Sequence, residues 1–303
     1  MRYLSIHCLT LIPIGIFARP TIARGQLLRP YPQFGSITGQ LSTGASAIYH
    51  SLQVKVDKRF GNGLGFLAAY TWGKLIDDNT GSGTGVPSSG TIQSQYNRRA
   101  ERAVSPSDVA HQLVASYTYE LPFGRGRAIG QGWNRALDAM LGGWQVNGIT
   151  TVQTGRPLTI SAPNNCTNCF NAGLRPNIAG GAPADLRNPG DIRERFEADP
   201  RARYFDTSVF SQPPAFTLGS APRTLRVRGP GLVSTDFSLF KNIRPTERVT
   251  LQLRVEAYNL FNYVQFPHPN TSFAVNSVTF GTITNLNQAN TARQMQFTVK
   301  VLF

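Results

Sequence analysis

Toward the end of the chain, Met295, Phe297, Val299, Val301 and Phe303 alternate with Gln294, Gln296, Thr298 and Lys300, and only Leu302 is out of phase. A period of two is that of a β-strand, in which successive side chains point to opposite faces. The same pattern recurs upstream. Leu52, Val54 and Val56 alternate with Gln53, Lys55 and Asp57, and after Gly61-Asn62-Gly63 the residues Leu64, Phe66, Ala68, Tyr70 and Trp72 share one phase. Asn-Gly between two alternating runs predicts a tight hairpin. Further strands are predicted at Gln112–Glu120, Trp144–Gln153, Val233–Leu239 and Val249–Ala257, with a weaker one at Gln33–Leu41, about eight in all. Alternation alone also suits a soluble sheet with one wet face.

The connections separate the two cases. Gly61 to Gly63 and Arg244 to Arg248 are tight, Leu121 to Gly143 is intermediate with a short helix expected at Arg135 to Leu141, and Gly73 to Ala110, Thr154 to Leu232 and Asn262 to Ala292 are long. Short turns at one end of a sheet and long loops at the other mark an outer-membrane barrel, whereas compact soluble domains rarely hold such long structureless loops. The predicted fold is therefore all-β: an antiparallel transmembrane β-barrel segment with long extracellular loops and short periplasmic turns. Strands facing lipid on one side and water on the other would place Gln53, Lys55, Asp57, Gln145, Asn147, Arg254 and Glu256 toward the lumen. Tyr70 and Trp72 would mark the outer interface, and Phe60, Tyr119, Trp144 and Phe303 the inner one.

Composition fits this class. Only 15% of the 303 residues are charged, Gly 29 and Pro 20 are plentiful, and no window holds the roughly 18 apolar residues of a membrane helix. The net charge of +14 raises the question of nucleic acid. The arginines sit mostly in Gly/Pro-rich connections, Arg187 to Arg203 and Arg223 to Arg228, with no helix to carry them into a groove. Solvated loops and contact with anionic lipid head groups both remain open for them; a nucleic-acid partner is not expected.

Candidate chemistry is sparse. Cys166 and Cys169 form a C-x-x-C without further ligands for zinc, so a small loop disulfide is the expected reading. His7, His50, His111 and His268 stand alone, Asp77 and Asp78 are adjacent and so point to opposite faces, and Gly81 to Gly90 lacks the strand and helix of a nucleotide loop. No enzyme activity, metal or cofactor is expected.

Several stretches carry a family likeness. "YHSLQVKVDKRF" at Tyr49–Phe60, "LAAYTWGKLIDD" at Leu67–Asp78, "YELPFGRG" at Tyr119–Gly126, "LGGWQVNGI" at Leu141–Ile149 and "VEAYNLFNYVQF" at Val255–Phe266 resemble the Oar-like TonB-dependent transporters, as do "RGQLLRPYPQF" at Arg24–Phe34 and "FGTIT" at Phe280–Thr284. The resemblance implies the C-terminal part of a 22-stranded barrel that forms the wall of a solute-uptake pore. Its partners would be outer-membrane lipid, the barrel-assembly machinery and, through an upstream part, a plug and TonB. The terminal residues Phe297, Val299, Val301 and Phe303 are similar to the barrel-assembly signal. Residues 33–303 are read as barrel and 1–32 as an N-terminal segment. There Met1 to Ala23 looks superficially like a signal peptide, but Pro13 and Gly15 interrupt it and an internal start of a truncated reading frame is expected. The alternative is a self-contained small barrel acting as an adhesin or structural envelope protein.

Overall fold

The computed structural model describes residues 21, 27, 31–34, 45–78, 92–94, 96–165, 173–182, 185–243, 246, 249–283 and 292–303. One antiparallel sheet dominates. Its long strands are β1 (Ala47–Gly61), β2 (Leu64–Asp77), β4 (His111–Glu120), β5 (Trp144–Gln153), β8 (Leu232–Ile243), β9 (Thr250–Tyr258) and β10 (Gln294–Leu302), hydrogen-bonded in that order. The two-residue β3 (Ala103–Val104) pairs with the end of β2 and completes a sheet of eight. Consecutive long strands are neighbours throughout, which is the meander of an up-and-down barrel wall. β1 and β10 end the path, so among the described residues the sheet is open. The expected strand at Gln33–Leu41 lies largely outside the described residues, as does most of the Arg244–Arg248 turn and all of Met1–Pro20.

Local chemistry explains the joints. Asn62 and Gly63 both adopt positive φ (52° and 81°), the conformation of a type I′ turn whose twist matches that of the flanking strands. Between β4 and β5 the helix expected at this position is present as α2 (Arg135–Leu141), following the four-residue α1 (Arg98–Glu101) in chain order. Asn134 caps α2 by accepting a hydrogen bond from the Leu137 amide at 2.8 Å. At its other end the Gly142 amide donates to the Asp138 carbonyl and Gly143 takes φ +70°, so the chain leaves the helix in the left-handed turn that glycine tolerates.

Because paired residues share a face, the register carries parity from one strand to the next. Val54, Tyr70, Leu113, Val152 and Val233 form one row across five strands. Phe66, Tyr117, Gly148, Phe237, Ala257 and Met295 form a parallel row on the same face, and Leu64, Tyr119, Val146, Leu239, Val255 and Phe297 another. The intervening rows, such as Gly65, Thr118, Asn147, Ser238, Glu256 and Gln296, are mainly polar. A soluble sheet would cover its apolar face with a second layer. Here that face is bare, with Val54 45%, Trp72 56%, Phe297 73% and Val299 65% exposed.

Ala257 apart, the buried apolar residues lie elsewhere. Leu158, Ile160, Leu186, Tyr204, Phe205, Phe210, Leu225, Val227, Phe273 and Phe280 form one cluster, and all of them come from the connections β5–β8 and β9–β10. Phe205, fully buried, meets Phe210 and Phe280 edge-on at 6.2 and 5.4 Å between ring centres. Two short elements, β6 (Asn177–Ile178) paired with β7 (Phe210–Ser211) and α3 (Ile192–Ala198), belong to this body. The long connections thus differ from the structureless loops expected of them. Their apolar side chains have no periodicity, but brought together they bury enough surface to fold a cap over one end of the sheet.

Candidate functional site

Three elements of the sheet matter for function: its polar face, the cap at the end of the long connections, and the edge of the apolar face. Gln53, Lys55, Asp57, Gln145, Asn147, Arg254 and Glu256 all fall on the polar rows of the register. Side chains two apart on one strand and face reach each other there. Gln145 donates to Asn147 at 2.9 Å, Arg254 to Gln252 at 2.6 Å and Gln252 to Asn242 on the next strand at 2.9 Å. Lys55 stands 3.8 Å from Asp57, and both are solvent-exposed. Such a ladder holds polar groups on a wetted wall without sealing them off.

The cap is tied by arginines to the sheet and to the connection between β2 and β4. Arg223, 1% exposed, pairs with the Asp77 carboxylate and donates also to the Asp77 carbonyl at 2.7 Å, at the very end of β2. Arg228 meets Asp108 at 2.5 Å, and Arg175 meets Glu101 at 2.6 Å with both partners buried. Each pair joins residues 74 to 146 positions apart in sequence. The loop arginines are therefore not all solvated or in contact with lipid, the two readings considered for them. Several are structural, since a buried charge survives only with a bonded partner. No local pattern marks them, since Asp77, Glu101 and Asp108 lie far along the chain from the arginines they bind.

Within the cap the Tyr204 hydroxyl donates to the Arg228 carbonyl at 2.8 Å. Burial pushes this phenol above the usual tyrosine range, against a weaker opposing pull from Arg187. In the unfolded chain the phenol ionises near pH 10, in the folded cap only higher, so its stabilising contribution is complete below about pH 10 and is lost as pH rises through the folded value. The cap should accordingly loosen in alkali. Absorbance at 295 nm should show one late-titrating tyrosine that disappears in Tyr204→Phe, and protease cleavage between residues 154 and 232 should rise over the same interval.

The aromatic residues predicted for the interfaces occupy both ends of the sheet. Tyr70 and Trp72 lie in apolar rows toward the cap, and Tyr119 and Trp144 in apolar rows at the other end. Phe60 sits in the irregularity of register between Lys58 and Gly61, and Phe303 follows β10 fully exposed. Phe297, Val299 and Val301 share the apolar face of β10. The link before β5 adds to this belt: Leu121, Phe123, Ile129, Trp133 and Leu141 join Trp144 and Leu239 around an apolar groove of about 510 Å³. Lys241, on the apolar face, is held there by the Gly142 carbonyl and lies 5.3 Å above the Trp144 ring. Cys166 and Cys169 fall outside the described residues, as does Gly81–Gly90. No cluster of three metal-ligating side chains occurs among the described residues.

A family model described as an outer membrane beta barrel domain matches residues 10–296, nearly the whole chain. The chain belongs to this family. Membership assigns the apolar face to lipid, the polar face to the interior, and the chain to the outer membrane of a Gram-negative envelope. In barrels of this kind the short turns are periplasmic, which makes the arginine-tied cap extracellular. No curated protein and no solved structure matches the chain.

Proposed function

We propose that this barrel domain forms part of the wall of a TonB-dependent transporter, of the Oar-like kind that the motifs resemble, and serves solute uptake rather than catalysis. The observation that carries the reading is the join between the polar wall and the folded cap at Asp77, a polar-face position bound by Arg223. A channel wall needs a hydrophilic lining, and a receptor needs an ordered outer surface above it. The open sheet supports a large barrel as well. Among the described residues β1 and β10 are its edges, and their amides would be stranded in hydrocarbon unless further strands closed the ring. On this reading the plug and the contact with TonB are supplied by polypeptide beyond this sequence, the barrel-assembly machinery inserts the chain, and neither cofactor nor nucleic acid takes part.

Isolation of the chain from its native outer membrane tests the proposal. A plug-bearing polypeptide should accompany it, in the same chain or tightly associated, and the complex should be retained on immobilised TonB periplasmic domain. A compact, heat-modifiable species that contains this chain alone, shows a stable conductance in planar bilayers and ignores TonB would overturn it in favour of a self-contained small barrel.

A further inference from the structure

At the cap end of the apolar face, β1, β2 and β4 bring together a group of residues that neither the polar wall nor the cap uses. Trp72 pairs with Leu52 and His111, and two residues farther along β2 Lys74 pairs with His50, all on the lipid-facing rows. His111 is held in place: its Nδ1 lies 2.8 Å from the Tyr70 hydroxyl, and its ring stacks parallel to Trp72 at 6.3 Å between centres. Arg102 precedes β3 in extended backbone and so shares the parity of Val104, which pairs with Ile76 in the same set of rows. Lys74, His50 and Arg102 are exposed, and among the described residues their side chains make no ion pair or hydrogen bond. The nearby carboxylate of Asp78 is taken up by the Ser46 amide and by Arg98.

Height in the membrane decides what these side chains meet. Lys74 lies ten residues above Leu64, which begins β2 beside the periplasmic turn. At about 3.3 Å per residue and a tilt of about 40°, it stands roughly 25 Å up, at the top of the apolar band of an outer-membrane barrel. Tyr70 and Trp72 just below it lie where amphipathic rings settle at the head-group level. Lys74 and Arg102, directed sideways near that level, face neither the lumen nor bulk water but the head-group layer, and an anionic group there would attract them.

We propose that Lys74, Arg102, His50 and His111 form a binding site for the phosphate groups of an anionic glycolipid of the outer leaflet, with Trp72 and Tyr70 packing against its sugar and upper acyl region. The ligand is a membrane lipid and not a free phosphate, because the patch lies on the rows that face the bilayer. This rests on the barrel fold and not on the transport reading, so failure of either leaves the other standing.

The barrel as isolated from its native outer membrane, with whatever polypeptide accompanies the chain, is reconstituted in neutral phosphatidylcholine vesicles and exposed to lipid A carrying both phosphates or to the same lipid dephosphorylated. Retained lipid per chain is counted by native mass spectrometry. Phosphorylated lipid A should be retained about tenfold better, the double variant Lys74→Gln/Arg102→Gln should narrow this to about twofold, and the cap variant Arg201→Gln should leave it unchanged. Millimolar inorganic phosphate should not compete. Raising salt from 50 to 500 mM should remove the preference of the unmodified chain, a measurement that holds even if the double variant fails to fold. Equal retention of the two lipids, a preference that survives salt, or a folded double variant with undiminished preference would overturn the site.

Discussion

Phe237→Arg is expected to destabilise the membrane-inserted barrel by about 2–4 kcal/mol, whereas Ser238→Arg, one residue along, should cost little. The two positions lie midway along β8, on opposite faces. Phe237 belongs to the apolar row that includes Phe66, Tyr117 and Ala257, and a guanidinium there must reside in hydrocarbon or drag water into it. Ser238 stands beside Asn147 and Glu256, where a cation gains a wetted surface and a nearby carboxylate. Denaturant unfolding in vesicles, followed by mobility on unheated gels, gives both values. Equal costs would mean that the two faces meet the same solvent, and the orientation of the whole wall would then be lost.

Arg223→Ala should detach the cap. The guanidinium is buried against Asp77, and its removal leaves a carboxylate at the end of β2 without the partner that makes its burial tolerable, at a cost of about 3–5 kcal/mol. Much of that loss belongs to the stranded charge, so Arg223→Met combined with Asp77→Leu should recover a large part of it. Hydrogen exchange distinguishes this from general unfolding: amides between residues 154 and 232 should exchange faster, while those of β4, β5 and β8 stay protected. Unchanged protection in the cap would show that its aromatic cluster around Phe205 holds without the tie to the sheet.

The candidate surfaces were unequally legible. The polar positions Gln53, Lys55, Asp57, Gln145, Asn147, Arg254 and Glu256 follow from parity along single strands, and pairing only had to bring those strands into one phase. The ties Arg223–Asp77, Arg228–Asp108 and Arg175–Glu101 follow from no local pattern, because each joins segments far apart in a chain without periodicity between them. The outer-rim group was equally hidden: His50, Lys74 and His111 each look solitary until the register aligns three strands.

What the sequence alone determined is whatever depends on neighbours within a few residues: the alternating strands, the Asn62-Gly63 turn, the capped helix at Arg135–Leu141 and the unequal lengths of the connections. Side-chain direction and turn conformation are local properties of the backbone, so they are written locally. Only the tertiary structure decided that the long connections fold into a cap around Phe205, that arginines in them are buried rather than wet, and that His50, Lys74 and His111 from separate strands gather at one rim. Those outcomes depend on which distant groups bury each other, and nothing in a local pattern encodes that choice.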